Sequence, residues 1–122
     1  MNMYITDILY YSKEDSEAEV SISDGRYTVN CYAYPCDMVS VNHRVNTIYG
    51  FNCANITRVS ETKYAIKKLF QHYAYQLVAQ VVDNESGIVR IGDLFINLDN
   101  DIPKDIMNGE FIAFSVVRLD CD

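Results

Sequence analysis

The segment that most constrains the fold is residues 17–34, EAEVSISDGRYTVNCYAY, in which apolar and polar residues alternate on both sides of an Asp-Gly pair. Asp-Gly is a preferred pair for a two-residue type I′ turn, because both central residues of that turn need a positive φ. A hairpin folded about Asp24-Gly25 would place Ile22 opposite Tyr27 across the ladder. The segment therefore predicts two antiparallel strands joined by a tight turn.

Alternation along this hairpin separates its side chains into two faces. The apolar face comprises Ala18, Val20, Ile22, Tyr27, Val29 and Cys31. The polar face comprises Glu19, Ser21, Ser23, Arg26, Thr28 and Asn30. A one-residue slip of the pairing would mix the two sets, so the alternation specifies the register. We therefore expect a β-sheet with one buried face and one face in water.

Short runs rich in β-branched and aromatic residues recur along the rest of the chain and predict further strands. These runs are residues 4–11, 49–59, 75–82, 88–91, 94–98 and 111–119. Gly50 marks a bend or bulge within the second run. The last run is apolar on both faces up to Arg118, which predicts a strand in the middle of the sheet.

Residues 60–73, SETKYAIKKLFQHY, are the one candidate helix. Ser60 is a good N-cap, and an apolar stripe follows it at helical spacing. The stripe consists of Ala65, Ile66, Leu69, Phe70 and Tyr73. Tyr64 and Ile66 also alternate as they would in a strand, so helix and strand both stay open. On a helix, His72 would be a half-buried packing residue.

These elements predict a single domain over residues 1–122 that is mainly β, since one domain commonly has about 100–150 residues. Six or seven short strands with a mid-chain helix suggest a small, partly closed β-barrel of the oligonucleotide/oligosaccharide-binding (OB) type, with extra strands. A β-sandwich is the alternative.

Composition bears on the compartment of the protein. No apolar run approaches the ~18 residues of a membrane span, and the first residues lack the basic and cleavable features of a signal peptide. We therefore expect a cytoplasmic protein that does not enter a membrane. The four cysteines, Cys31, Cys36, Cys53 and Cys121, are then expected as reduced thiols. Cys31 lies on the apolar face of the hairpin and is expected to be buried and inert.

No motif in the chain indicates a catalytic or metal site. The sequence has no Gly-x-Ser-x-Gly elbow, Gly-rich phosphate loop or HExxH. Cys36, His43 and Cys53 lack the paired spacing of zinc ligands. Asp99, Asp101, Asp105 and Glu110 have the spacing of a calcium loop, but Lys104 stands where such a loop needs Gly. We therefore expect no enzyme activity, no metal and no cofactor.

The charge of the chain points to the kind of partner it would bind. The net charge is −7, with 10 basic and 17 acidic residues, which argues against a nucleic acid as partner. Acidic surfaces are instead steered towards basic proteins. Exposed tyrosines are enriched at protein interfaces. The candidate interface is the group of acids before and within the hairpin with the tyrosines that follow it: Glu14, Asp15, Glu17, Glu19, Tyr32 and Tyr34.

Two blocks of the chain resemble a known group of proteins. They run from EAEVSISDGRYTVNCYAYPCD through IVRIGDLFINLDNDIPKDIMNGEFIAFSVVRLDCD and include Tyr34-Pro35-Cys36, Ile91-Gly92-Asp93 and Arg118-Leu119-Asp120. In these blocks the chain is similar to a family of small, β-rich, OB-fold-like bacterial proteins without an established activity. The resemblance implies no catalytic residues. In size and charge, such proteins also resemble the immunity proteins of bacterial toxin systems.

Two hypotheses on function follow from the sequence. The first is a cytoplasmic interaction module, an immunity- or antitoxin-like inhibitor that covers a basic partner protein with acids and tyrosines. The alternative is an OB-like barrel that binds a nucleic acid or a small ligand. The sequence does not address the oligomeric state.

Overall fold

Strands alone organise the computed structural model of this chain, which describes residues 3–36 and 40–121. They are β1 (Tyr4–Ser12), β2 (Glu17–Ser23), β3 (Thr28–Ala33), β4 (Ile48–Phe51), β5 (Ala54–Val59), β6 (Ala65–Lys68), β7 (Tyr75–Asp83), β8 (Ile88–Ile91), β9 (Leu94–Leu98), β10 (Phe111–Val116) and β11 (Arg118–Cys121). The described residues include no helix, and hence none long and apolar enough to cross a bilayer. The prediction of a mainly β protein is confirmed.

The strands form one sheet in the order β1-β2-β3-β11-β4-β9-β8-β7-β10-β5, with β6 also pairing with β7. Neighbours are antiparallel except for the parallel pairs β3–β11 and β4–β9. The path of paired strands ends at β1 and β5, and no ladder of the described residues joins these two ends. The sheet is therefore not closed, and the structure does not support the OB-like barrel as such.

The hairpin of β2 and β3 has the predicted buried face but a wider turn. Ile22 pairs with Val29, not with Tyr27, so four residues, 24–27, connect the strands. The Asp24 carboxylate holds this turn, since its Oδ1 accepts the backbone N–H groups of Arg26 at 2.9 Å and Tyr27 at 2.7 Å. A shift of two residues keeps every side chain on its own face. Five predicted core residues are accordingly buried: Ala18, Val20, Ile22, Val29 and Cys31.

The tip of this hairpin packs against a distant turn. Asp24 Oδ2 accepts the backbone N–H of Asp93 at 2.8 Å, in the turn between β8 and β9. Gly92 in that turn has a φ of +60°, and a Cβ there would lie 2.5 Å from Asp24 Oδ2 and 2.7 Å from the Tyr27 ring. Only glycine accepts both that φ and that approach. The wider turn is thus the one that fits the rest of the molecule.

Side chains also connect β3 to β7, which is far from it along the sheet. The Tyr75 hydroxyl accepts the backbone N–H of Asn30 at 3.0 Å, at a point where β3 is not paired with β11. Nearby, the rings of Tyr27 and Tyr64 meet edge to face, 5.5 Å between centroids. The sheet therefore curls back on itself and encloses its inner face. Its largest fully buried side chains include Phe114, Met3, Ile5, Ile22, Ile48, Leu77 and Leu119.

Tyr75→Phe should destabilise the fold by about 1 kcal/mol, because the Asn30 N–H loses its partner. Urea denaturation followed by circular dichroism measures the change. Tyr49→Phe is the matched control, since the Tyr49 hydroxyl is exposed and makes no hydrogen bond to the described residues. Equal stability of the two variants would contradict this role of Tyr75.

The prediction of a helix over residues 60–73 is wrong. Residues 65–68 instead form β6, which pairs antiparallel with the first half of β7. Tyr64 and Ile66 pack against the core, as the strand alternation indicated, whereas Phe70 of the helical stripe is fully exposed. Aromatic and β-branched residues gain more from this pleated surface than from a helix without tertiary support.

Two predicted strands are each divided in the structure. Residues 49–59 bend at Asn52, which has a φ of +57°, and not at Gly50. Residues 111–119 break at Val117, so that β10 lies between β7 and β5 while β11 lies between β3 and β4. The expected position of this last run inside the sheet is confirmed for both of its halves.

Candidate interaction face

Side chains from five adjacent strands share the outer face of one half of the sheet. Residues directly opposite each other in a ladder point to the same side. The cross-strand pairs Glu19–Tyr32, Tyr32–Asp120, Asp120–Tyr49 and Arg118–Phe51 therefore define one continuous surface. We call it the acidic–aromatic face; it comprises Tyr11, Glu17, Glu19, Tyr32, Tyr49, Phe51, Arg118 and Asp120.

Glu17 and Tyr32, two of the predicted interface residues, meet on this face. The Tyr32 hydroxyl donates to the Glu17 carboxylate, although the backbone partner of Tyr32 is Glu19. This hydrogen bond raises the pKa of Tyr32 above its ordinary value. Tyr32 therefore stays a protonated donor, and its ring is held in one orientation.

Glu19 is the centre of a second network that the sequence did not reveal. Its Oε1 accepts the Tyr11 hydroxyl at 3.0 Å and lies 3.0 Å from His72 Nε2. Tyr73 in turn donates to the Tyr11 hydroxyl at 2.7 Å. Partial burial raises the pKa of both Tyr11 and Tyr73; the bond to Glu19 raises that of Tyr11 further, and the bond to Tyr11 raises that of Tyr73. The connection between β6 and β7 is thereby fastened to β1 and β2.

Arg118 lies between two aromatic rings on the same face. Its guanidinium carbon is 4.7 Å from the centroid of Tyr32 and 4.9 Å from that of Phe51. Two nitrogens of Arg118 also donate to the Asp120 carboxylate, at 2.6 and 3.1 Å. A planar cation stacked in this way restricts the motion of both rings. The centre of the face is therefore ordered by contacts within the chain itself.

The remaining predicted interface residues border this face. Glu14 and Asp15 are exposed in the turn between β1 and β2, where Asp15 exchanges hydrogen bonds with Ser12. Tyr34 follows the end of β3 and is 61% exposed. The structure thus brings Glu17, Glu19 and Tyr32 into one bonded surface and leaves Glu14, Asp15 and Tyr34 free of it.

Sequence reasoning missed five members of this surface, Tyr11, Tyr49, Phe51, Arg118 and Asp120, and also the contacts that His72 and Tyr73 make with it. Tyr11 lies at a register shift of β1, between Tyr10 and Ser12, which breaks the simple alternation. Phe51 and Arg118 become neighbours of the hairpin only because β11 inserts between β3 and β4. The interpretation of His72 as a half-buried packing residue is wrong, since its side chain is 64% exposed and pairs with Glu19. No pattern along the chain would have indicated that contact.

Several cysteines and acids outside this face are buried or take part in hydrogen bonds and ion pairs within the chain. Burial raises the pKa of the Cys31 thiol, and burial raises that of Cys53 to about 12, so neither forms the nucleophilic thiolate at neutral pH. Asp99 accepts the backbone N–H groups of Asn52 and Cys53. Asp105 and Glu110 pair with Arg58. In the part of the chain that the structure describes, no three potential ligands converge on a metal position.

Two clefts lie elsewhere on the molecule. One, of about 790 Å³, is bounded by residues 83–85 and 101–108. The other, of about 620 Å³, is bounded by residues 58–65 and Val78. No buried side-chain nitrogen or oxygen of the described residues lacks a hydrogen-bond partner.

No protein-family model, curated protein or solved structure matches this chain. The resemblance to a family of small bacterial proteins therefore stays an expectation from the sequence.

Proposed function

We propose that this protein is a cytoplasmic interaction module without enzymatic activity, an immunity- or antitoxin-like inhibitor that docks a basic partner protein through its acidic–aromatic face. One observation carries the proposal. Exposed aromatic rings and carboxylates occupy the same outer face of five neighbouring strands, next to a turn with two further acids.

The aromatic residues supply area that a partner can cover. Tyr11 is 46% exposed, Phe51 47% and Tyr49 41%, and they lie on strands at both sides of this face. Large exposed rings that become desolvated commonly dominate the energy of an interface. Because internal hydrogen bonds and stacking already order several of these rings, little conformational entropy would be lost on binding.

The acids at the border of the face supply long-range attraction. Glu14 and Asp15 are exposed and form no ion pair with the residues that the structure describes. Charges at the rim of an interface mainly raise the association rate, and salt weakens this effect. A basic partner would therefore approach first at the turn between β1 and β2.

The test compares two charge-reduced variants of equal net charge. Glu14→Gln/Asp15→Asn removes the two acids at the border of the face. Glu85→Gln/Asp101→Asn removes two exposed acids beside the larger cleft. Each variant and the wild type are used as bait in cell extract at low salt, and association with the recovered protein is then timed by surface plasmon resonance. We expect a basic protein whose association slows about threefold in the first variant only.

The bait experiment also tests the alternative. Recovery of a nucleic acid in place of a protein would favour the hypothesis of a ligand-binding OB-like module. Equal association rates for the two variants would contradict docking at this face.

Tyr34→Ala should leave association unchanged and speed dissociation, because Tyr34 carries no net charge and offers an exposed ring.

A further inference from the structure

The connection between β6 and β7 lies across part of the acidic–aromatic face. Two backbone hydrogen bonds close it, Leu69 N–H to Ala74 C=O at 2.9 Å and Ala74 N–H to Gln71 C=O at 3.2 Å. Phe70 at its tip is fully exposed. We call residues 69–74 the strap, because its side chains hold it against the strands beneath.

Side chains of three strands hold the strap in place: Tyr11 of β1, Glu19 of β2 and Tyr32 of β3. His72 of the strap approaches Glu19 of β2 at 3.0 Å and the Tyr11 hydroxyl of β1 at 2.9 Å. Tyr73 bonds Tyr11 and meets the Tyr32 ring of β3 edge to face, 5.7 Å between centroids. Glu19 is the charged group that contacts His72, and the rings of Tyr11 and Tyr73 lie against the imidazole.

His72 thus occupies the position that a cation of a partner would need. The Glu19 side chain is only 16% exposed, whereas that of His72 is 64% exposed. A lysine or arginine that pairs with Glu19 Oε1 would compete with the imidazole for that oxygen. Histidine side chains change charge between about pH 5 and pH 8.

We propose that the strap is a pH-sensitive cover of the partner site, in which protonated His72 competes with a cationic side chain of the partner for Glu19. This regulation rests on the proposed docking of a basic partner. A partner that displaces His72 releases its proton, so binding strengthens as the pH rises through the histidine range. Exposed ion pairs are weak, so we expect the affinity for the partner to rise only about two- to fivefold across this pH range.

The chain provides a matched control for this proposal, because its two histidines are His43 and His72. His72→Gln keeps a hydrogen-bond donor near Glu19 but cannot carry the charge. His43→Gln makes the same change at an exposed position whose side chain makes no hydrogen bond to the described residues. The probe is an oligo-arginine peptide, and titration calorimetry at about pH 5.5 and about pH 8 measures its affinity and the protons released.

We expect the wild type and His43→Gln to bind the peptide about two- to fivefold more tightly at the higher pH, with release of protons between the two values. His72→Gln should bind at both pH values as tightly as the wild type does at the higher one. Backbone amide resonances of the strap should shift with pH in the wild type and in His43→Gln, and stay constant in His72→Gln.

Two outcomes would overturn the proposal, and they differ in meaning. The same pH dependence in His72→Gln as in the wild type would refute competition by His72 and leave the docking of a basic partner intact. Absence of peptide binding at both pH values, in all three proteins, would overturn the proposed partner class together with its regulation.

Discussion

Val29→Asp should remove a large part of the stability of the folded chain. Val29 is 1% exposed and faces Ile22 across the hairpin on the inner side of the sheet. A carboxylate there would be buried among apolar side chains without a partner, at a cost of about 4 kcal/mol or more. Since the whole stability of a domain is about 5–15 kcal/mol, this loss is a large part of it. Far-UV circular dichroism and resistance to a protease report the result.

Two further variants keep this prediction quantitative. Thr28→Asp introduces the same charge one residue earlier, at an exposed position on the other face, and should change the free energy of unfolding little. Val29→Thr retains the shape of valine and should cost about 1–3 kcal/mol for the buried hydroxyl, measured by urea denaturation. If Val29→Asp were as stable as Thr28→Asp, the assigned inner face of the hairpin would be incorrect.

Asp24→Ala should destabilise the fold by about 3 kcal/mol. The substitution removes the acceptor of three backbone N–H groups, from Arg26, Tyr27 and Asp93. Hydrogen bonds to a charged acceptor are each stronger than neutral ones. Asp24→Asn should lose less, because its carbonyl oxygen can still accept within the turn although its amide cannot accept from Asp93. Denaturant titrations of the three proteins at about pH 7 measure the order.

The contribution of Asp24 should also depend on pH. Partial burial alone would raise the pKa of its carboxyl, but the N–H groups of Tyr27, Asp93 and Arg26 lower this pKa below the ordinary value of 3.8. A carboxyl whose pKa is lower in the folded state stabilises the fold above its unfolded pKa. This stability is lost as the pH falls through the folded pKa. The difference between the wild type and Asp24→Ala should therefore be constant near neutral pH and shrink below about pH 4. A difference that stays constant down to about pH 2 would contradict the charged acceptor.

Part of the candidate site could be predicted from the sequence. Alternation along residues 17–34 placed Glu17, Glu19 and Tyr32 on one wet face, and the structure confirms that Tyr32 and Glu17 meet there. The width of the turn could not be predicted in the same way. Asp24-Gly25 favours a two-residue turn locally, but the Asp24 carboxylate also bonds Asp93, which is remote in sequence.

The position of the strap against the acidic–aromatic face could not be predicted from the sequence either. Residues 60–73 fit a helix and a strand about equally well. Residues 65–68 form a strand because the backbone of β7 pairs with them. Once residues 65–68 are a strand, the next residues must turn, and His72 and Tyr73 fall against β1 and β2. Intrinsic preference is a weak guide wherever a neighbouring strand can satisfy the backbone.

The sequence by itself determined the strand class, the buried face of the hairpin and the acidic character of the surface. These follow from side-chain alternation and composition, which act over a few neighbouring residues. Only the tertiary structure decided that β11 lies between β3 and β4, so that Arg118 stacks on Tyr32 and Phe51. Strand order depends on which distant backbone groups pair and which distant side chains pack, and alternation within one strand carries no information about either.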